Sequence, residues 1–421
     1  MMQLPQYPRY ESYKDSGEGW IGKVPEHWDD RKLKHLFIEK KHRANMDLNC
    51  GAISFGEVVE KDDERIPLST KASYQEVLAG EFLVNPLNLN YDLKSLRIGL
   101  SDINVVVSAG YIVLRAAAEL DKRYFKYLLH RYDVANMKLL GSGVRQTISF
   151  NHIANSILVA PPLEEQQAIA RFLDDKTDKI DRAVKIKEGQ IALLRERKQI
   201  IIQEAVTQGL NPDAPMKDSG IDWINQIPAH WDRLANKFIF RLKKDTVGKR
   251  APEYDLLSLT LRGIIKRDME NPEGKFPAEF DTYQEVLPGD FVFCHFDVEE
   301  TPRTVGLSEF RGMITGAYTV YHTSDEFDRR FLLYFYLFAD ADKKLRSLYK
   351  GLRNTIPKDV FGRFKTPLPP LEEQREIVKH IDESSAKVEA AIELKERQIE
   401  ALKEYKDTLI NSAVTGKIKV I

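Results

Sequence analysis

Apolar residues recur every three or four positions along two long segments of the chain, residues 161–209 and residues 369–417. This spacing is typical of the narrow seam of a coiled coil rather than of the broad apolar face of a surface helix. Each segment opens with Pro-Pro-Leu-Glu-Glu-Gln, in which proline suits the first helical turn and the glutamates lie at the positive end of the helix dipole. We therefore predict two long helices with ten seam positions: Ile180, Val184, Ile191, Leu194, Ile201, Val388, Ile392, Ile399, Leu402 and Leu409.

The second segment is a copy of the first. Matched positions differ by 208 at both ends of the segment (369 − 161 and 413 − 205), so there is no net insertion along it. Lysine interrupts the seam at the same places, at Lys187 and Lys198 in one copy and at Lys395 and Lys406 in the other. These interruptions favour one register, because a slipped pairing would place a lysine against an apolar residue.

A globular segment precedes each helix, and the two segments share a frame. Residues 14–29 return as residues 217–232, and the motif YQEVLAGEF at 74–82 returns as YQEVLPGDF at 283–291. Between these anchors the copies diverge, which is what two different recognition surfaces on one scaffold require. The predicted order is a first domain at 1–160, a helix at 161–209, a second domain at 210–368 and a helix at 369–417.

Composition limits the classes of protein that fit. The 421 residues are 43% hydrophobic, which is enough for real cores, and the net charge of −1 means that any nucleic-acid surface must be local. We find no apolar run long enough to span a bilayer and no secretory signal, so we expect a cytoplasmic protein. Cys50 and Cys294 do not occupy matched positions, which argues against a disulfide framework or a metal site.

A histidine precedes a tryptophan in each frame, at His27 and His230. A catalytic role would need a nucleophile or an acid–base partner nearby. No serine, cysteine or carboxylate in this stretch forms an obvious pair with the histidine. We interpret the motif as a turn clamp that docks the start of each domain.

Basic residues that follow each clamp are candidates for contact with DNA phosphates, although a run of charge is equally typical of a solvated surface. A later loop reads Arg-Gln-Thr-Ile in one copy and Arg-Asn-Thr-Ile in the other, and arginine followed by an amide suits the edges of guanine and adenine. Bracing of the loop is an equal alternative. Since the arginine recurs, we expect it to position rather than to specify. The candidate DNA-binding residues are Lys40, Lys41, Arg43, Arg145, Gln146, Lys243, Lys244, Arg250, Arg353 and Asn354.

We predict no catalytic, cofactor-binding or metal-binding residue. The glycine-containing loop at 141–147 lacks the lysine of a P-loop. The nearest approaches to an adenine-methyltransferase tetrapeptide, at 160–163 and 368–371, lack the polar first residue and the aromatic last residue. A stand-alone nuclease or methyltransferase is therefore disfavoured. A purely structural coiled-coil adaptor is also disfavoured, because a spacer has no use for two divergent domains.

The doubled Pro-Pro-Leu-Glu-Glu-Gln helix and the Trp-Ile and Pro-x-His-Trp motif that opens each domain closely resemble the specificity (S) subunit of type I restriction–modification systems. The resemblance covers nearly the whole chain. It implies an α+β fold with a pseudo-two-fold internal repeat, in which two target-recognition domains are separated by an antiparallel coiled coil of the two long helices. It also implies a non-catalytic subunit whose domains each read one half of a bipartite, asymmetric DNA site.

The resemblance further implies the partners. The helices would set the spacing of the half-sites and dock two modification subunits, which methylate adenine with S-adenosylmethionine. Two restriction subunits would use ATP and Mg for translocation and cleavage of double-stranded DNA. We expect no cofactor in this chain and no contact with a membrane. Because target-recognition domains diverge widely, the resemblance assigns no base-contacting residue by position.

Overall fold

Two long helices follow the two Pro-Pro pairs and span Leu163–Gln208 and Leu371–Val414 in a computed structural model of the protein. The structure describes residues 7–62, 64, 66–87, 96–137, 140, 147–268 and 280–420. The chain divides into two units, Met1–Lys187 with Glu396–Ile421 and Glu188–Lys395. Each unit therefore contains the start of one long helix and the end of the other.

The first unit contains one six-stranded sheet among its described residues. Its strand order is β4-β11-β8-β9-β6-β5, antiparallel except between β6 and β9, and β1-β2, β3-β12 and β7-β10 form two-stranded ladders. The elements in chain order are β1 (Tyr13–Asp15), β2 (Lys23–Pro25), β3 (Asp29–Lys32), α1 (Leu33–Leu36), β4 (Phe37–Glu39), β5 (Gly51–Ser54), β6 (Glu57–Glu60), α2 (Leu68–Lys71), β7 (Gln75–Val77), β8 (Phe82–Val84), β9 (Ile98–Leu100), β10 (Val105–Val107), β11 (Ile112–Ala116), α3 (Lys122–Ala135), α4 (Phe150–Ile153), β12 (Ile157–Ala160) and the start of α5 (Leu163–Gln208).

The second unit repeats this plan with its sheet divided. Its described strands form four-stranded sheets in the orders β16-β23-β20-β21 and β18-β17-β22-β19, with ladders β13-β14 and β15-β24. The elements are β13 (Met216–Asp218), β14 (Gln226–Pro228), β15 (Asp232–Ala235), α6 (Asn236–Ile239), β16 (Phe240–Leu242), β17 (Asp255–Thr260), β18 (Gly263–Lys266), β19 (Gln284–Val286), β20 (Phe291–Phe293), β21 (Val305–Leu307), β22 (Gly312–Ile314), β23 (Thr319–Thr323), α7 (Arg329–Ala341), α8 (Lys358–Arg363), β24 (Lys365–Leu368) and α9 (Leu371–Val414), with 3₁₀ helices at Gly248–Glu253 and Lys344–Leu348.

Each hydrophobic core extends onto both long helices. In the first unit Leu173 of α5 and Val414 of α9 belong to the same buried cluster as Trp28. In the second unit Ile381 of α9 and Val206 of α5 belong to the cluster of Trp231. The helix ends are thus part of the cores, which explains why apolar residues follow a wider stripe there than at the middle of each helix.

A buried glutamine attaches each long helix to the rest of its unit. Gln166 donates a hydrogen bond to the carbonyl of Pro161 at 2.8 Å and accepts one from the backbone N–H of Asp121 at 2.9 Å. Gln374 repeats both bonds in the second unit, with Pro369 at 2.9 Å and Asp328 at 2.8 Å. Asp121 and Asp328 cap the N-termini of α3 and α7, so the last residue of the Pro-Pro-Leu-Glu-Glu-Gln motif joins two helix starts.

The preceding glutamate receives the histidine of the clamp. His27 Nε2 lies 2.9 Å from Glu165, and His230 Nε2 lies 2.7 Å from Glu373. Trp231 also donates to Glu373, at 3.0 Å, whereas in the first unit the hydroxyl of Tyr10 donates to Glu165 instead. Burial, followed by this hydrogen bond, raises the pKa of Tyr10. These contacts confirm that the His-Trp motif is a clamp between the start of a domain and the start of its helix.

All ten predicted seam residues are buried or partly buried. Ile180, Ile191, Val388, Ile399 and Leu409 are buried, and Val184, Leu194, Ile201, Ile392 and Leu402 are partly buried. By contrast, Ile186 and Leu193 on the same helix are 62% and 65% exposed, so the seam is one face only. The α+β class and the internal repeat are confirmed.

Three of the four lysines in the seam contact polar groups on the other helix. In the first unit Lys187 donates to Gln398 at 2.7 Å, and Lys406 donates to Asp181 at 2.7 Å. As the residue number rises on α5 it falls on α9, so the two helices are antiparallel. In the second unit Lys198 donates to Glu389 at 2.5 Å. This pair is the repeat counterpart of the Lys406–Asp181 pair, since both members shift by 208 (406 − 198 and 389 − 181).

Candidate nucleic-acid interface

The predicted recognition loop of the second unit is a tight turn held on several sides. Lys350 and Thr355 form an antiparallel bridge, and Gly351 (φ 70°) and Asn354 (φ 42°) adopt left-handed conformations inside it. The backbone N–H of Asp297 donates to the carbonyl of Arg353 at 2.9 Å. This loop and the divergent segment at 294–305 therefore form one surface. The first-unit counterparts Arg145 and Gln146 lie outside the described residues.

The guanidinium of Arg353 is occupied by an ion pair. Its Nε donates to Asp297 Oδ1 at 2.9 Å and a terminal nitrogen donates to Oδ2, while the group lies 5.6 Å from the ring of Phe296. The hydrogen bond from Arg353 lowers the pKa of Asp297. Asn354 donates to Glu300 at 3.2 Å. The Arg353 guanidinium would have to release Asp297 before it could bind guanine. This geometry therefore favours a structural role, in which Arg353 holds the loop in place.

Lys40 and Lys243 occupy matched, nearly buried sites. Lys40 Nζ lies 3.2 Å from Glu76 and 2.8 Å from Glu81. Lys243 Nζ lies 3.3 Å from Glu285 and 3.0 Å from Asp290. These carboxylates belong to the repeated motifs at 74–82 and 283–291, so the motif and the lysine form one ion cluster in each unit.

The electrostatics of these clusters are those of structural ion pairs. Burial raises the pKa of Glu76, but hydrogen bonds from Asn45 and Lys40 outweigh burial and leave the pKa below its usual value. A hydrogen bond from Tyr254, with a further one from Lys243, lowers the pKa of Glu285. A lysine that neutralises two carboxylates has little charge left for a phosphate. Contact of Lys40 and Lys243 with DNA stays a prediction that this geometry does not favour.

The other candidate cations are exposed. Arg43 lies 3.7 Å from Glu76, and Arg250 lies over the ring of Tyr254 at 5.5 Å. Lys41 and Lys244 are exposed and have no ion pair with the described part of the chain. These four side chains are accessible to a phosphate, and their contact with DNA stays a prediction.

Sequence reasoning missed a basic cleft in the second unit. It has a volume of about 560 Å³ and lies between the segment 236–242, which forms α6 and β16, and the start and end of α8. Its lining includes Lys237, Phe238, Arg241 and Lys358. Arg241 alone lies in the basic stretch that contains the predicted residues Lys243 and Lys244. A comparison of the two copies could have pointed to this cleft. By the repeat offset of 203, Phe238 matches His35 and Arg241 matches Ile38, so the second copy has a phenylalanine and an arginine that the first copy lacks at these positions.

Two other kinds of site are absent from the described residues. No group of three or more histidine, cysteine, aspartate or glutamate side chains is arranged to hold a metal ion there. No helix in the same part of the chain is long and apolar enough to cross a membrane.

Known proteins resemble the chain in sequence and in fold. Residues 93–193 and 315–404 match the type I restriction modification DNA specificity domain. A Methanocaldococcus jannaschii protein named as the specificity subunit of the type I restriction enzyme MjaX is 23% identical over 453 residues, covering 100% of both chains. The MjaVIII specificity subunit from the same organism is 24% identical over 280 residues, covering 62% of this chain and 61% of the relative.

Two solved structures share the fold. A chain from a structure that addresses complex assembly and conformational transition of the type I R-M system superimposes with a TM-score of 0.64 at 15% identity, covering 93% of this chain and 98% of the other. The HsdS subunit from Thermoanaerobacter tengcongensis gives a TM-score of 0.52 at 16% identity, covering 94% and 98%. At these identities the likeness concerns the fold alone.

Proposed function

We propose that the chain is the DNA sequence-recognition subunit of a type I restriction–modification system, because two of its segments match the DNA specificity domain of such systems and a named specificity subunit resembles it over its full length. Each globular domain reads one half of a bipartite, asymmetric site. The observation that carries this proposal is the duplicated frame with unlike loops. The clamp, the glutamine bridge and the lysine–carboxylate cluster recur in both units, whereas segment 294–305 has no sequence counterpart in the first.

The chain has no catalytic task in this proposal. Modification subunits bring S-adenosylmethionine and methylate adenine, and restriction subunits bring the ATP- and Mg-dependent nuclease activity. The long helices hold the two domains at a set spacing and provide the surface on which two modification subunits dock. Two equivalent partners suit a chain whose two units repeat each other. We place the assembly in the cytoplasm.

A domain exchange tests this function. Residues 210–360 are replaced by the corresponding domain of a relative with a different target, and the chain is expressed with its modification partner. The methylated motif in genomic DNA should change in one half and keep the other half. A motif that changes in both halves would contradict independent reading by the two domains.

The same preparation tests the non-catalytic role. The purified chain without its partner should transfer no methyl group from S-adenosylmethionine to DNA, and the reconstituted complex should do so. Methyl transfer by the isolated chain would overturn the assignment to a recognition subunit. Specific binding to DNA by the complex separates the proposal from a structural adaptor, which would bind none.

A further inference from the structure

The basic cleft of the second unit, defined by Asn236, Lys237, Phe238, Arg241 and Lys358, differs from the other cationic sites in its lack of carboxylates. Lys237, Arg241 and Lys358 are exposed, and none of them forms an ion pair in the described part of the chain. Lys243, only two residues beyond Arg241, is held by Glu285 and Asp290. Three like charges without a counterion repel each other, so an anion that enters the cleft is stabilised.

A buried side chain in the same cleft has an unused donor. Asn236 is 1% exposed, and its Oδ1 accepts hydrogen bonds from Tyr336 at 2.8 Å and from Thr366 at 2.7 Å. Its Nδ2 has no hydrogen-bond partner among the residues that the structure describes. A buried N–H without an acceptor is costly, and this one belongs to a residue that lines the cleft.

Phe238 adds a flat apolar surface beside the charges. Its side chain is 65% exposed, and Lys237 Nζ lies 4.9 Å from the centre of its ring. An exposed aromatic ring next to free cations is the combination that contacts the apolar and charged parts of a nucleic-acid strand.

We propose that this cleft binds the sugar–phosphate backbone of the DNA that the second unit reads. The proposal rests on the function proposed above and adds the place where the strand is anchored. The ammonium, guanidinium and amide groups at the cleft are donors, and a phosphodiester offers acceptors only. A peptide would bring N–H groups as well, and the lining provides no carboxylate to accept them. The backbone of DNA is therefore the better match than an acidic peptide.

The matched positions of the first unit lack this set of side chains. By the offset of 203, Leu33, His35 and Ile38 stand at the positions of Asn236, Phe238 and Arg241, and Phe150 stands at that of Lys358 by the offset of 208. Lys34 alone keeps its charge. The anchor belongs to one half-site only, whichever bases each unit reads.

The test removes the three free cations together. The variant K237A/R241A/K358A, in complex with the modification partner, is compared with wild type for DNA affinity at several salt concentrations. The plot of log K against log salt has a negative slope. The magnitude of this slope should decrease by about one for each phosphate that the variant no longer neutralises. Affinity should fall for cognate and non-cognate DNA alike, because phosphate contacts carry no sequence information. The charge-conserving variant K237R/R241K/K358R should keep the wild-type slope.

The matched control removes paired cations from the same unit. Lys266 lies 2.6 Å from Asp255 and Arg363 lies 2.7 Å from Asp359, and all four side chains are exposed. The double variant K266A/R363A should leave the slope unchanged. If the slope became shallower in K266A/R363A as well as in K237A/R241A/K358A, the cause would be the overall charge of the unit and not the cleft. That result would overturn the proposal.

Two further outcomes separate this inference from the proposed function. If the wild-type complex binds its site specifically and the triple alanine variant keeps the full slope, the cleft is not a backbone anchor but the recognition function stands. If the triple variant instead loses its modification partner with an unchanged slope, the cleft takes a protein and the proposal is wrong. A wild-type complex with no specific DNA binding would overturn the function itself.

Discussion

The ammonium group of Lys198 on α5 lies 2.5 Å from Oε1 of Glu389 on α9. The pair crosses the seam at a position where the apolar pattern is interrupted. Its counterpart, Lys406 with Asp181, has the same chemistry, and each of its members is related to the matching residue by the repeat offset of 208. Lys198 and Lys406 thus have defined partners, and a shift of one helix by a turn would take both lysines away from their carboxylates.

A charge exchange measures what the pair contributes. Because Glu389 is 63% exposed, we expect the variants K198E and E389K to lower the free energy of unfolding by only about 0.5–1 kcal/mol each. The double variant K198E/E389K should recover most of the difference, as seen in denaturant unfolding at low salt. Effects that simply add in the double variant would show that the two side chains do not interact.

The buried glutamine at the start of α9 should matter more. Replacing Gln374 by Leu leaves the buried Pro369 carbonyl and the partly buried Asp328 N–H without partners. We expect the free energy of unfolding to fall by about 2–4 kcal/mol for two such groups, measured by chemical unfolding. The exposed Gln190 on α5 is the control, and Q190L should change stability little. Equal effects of the two substitutions would contradict the bridging role.

Lys40 should be needed for the fold of the first unit. The variant K40M leaves Glu76 and Glu81 as nearly buried carboxylates without a cation, which costs about 3–5 kcal/mol near neutral pH. R43M is the control, because Arg43 is exposed and 3.7 Å from Glu76. Thermal unfolding of the two variants should differ clearly, and a K40M protein as stable as wild type would show that the cluster is dispensable.

A lower pH should reduce the stability of wild type at the Lys40 cluster and should relieve the destabilisation in K40M. The folded-state pKa of Glu76 lies below its unfolded value of about 4.3. The stabilisation that ionised Glu76 provides is therefore complete above the unfolded pKa, and it is lost as the pH falls through the folded pKa. In K40M the unpaired carboxylates are easier to protonate, so the difference in stability between the two proteins should shrink on acidification. A constant difference between pH 7 and pH 4 would contradict this.

The proposed role of the helices in spacing predicts the effect of lengthening them. The Lys198–Glu389 pair places residue 194 opposite residue 393, so a heptad inserted after Leu194 and another after Ile392 keep the seam in phase. Both long helices become longer by about 10 Å, which corresponds to about 3 base pairs of B-DNA. The methylated motif should gain spacer between unchanged half-sites, or methylation should fail because the distal half-site turns by roughly a third of a helical turn. Unchanged spacing at full efficiency would exclude a ruler.

Local and repeated features of this protein were determined by its sequence. The ten seam positions on α5 and α9 follow from the spacing of apolar residues. A helix brings every third or fourth residue to one face, whatever the rest of the chain does. The His-Trp clamps were recognisable because a second copy excluded coincidence. Their partners Glu165 and Glu373, 138 and 143 residues away, were seen only in the structure.

The tertiary structure decided which charges are free. Lys40 and Arg241 look alike in the sequence, as members of two basic stretches. In the fold Lys40 is neutralised by carboxylates of the segment 75–81, whereas Arg241 has no counterion among the described residues and lines a cleft with Lys358, more than a hundred residues away. Ion pairing depends on distances of a few ångströms between segments distant in the chain, and periodicity carries no information about such distances. The sequence therefore determined the helices and the repeat, and the folding of distant segments together determined which cations lack a counterion among the described residues.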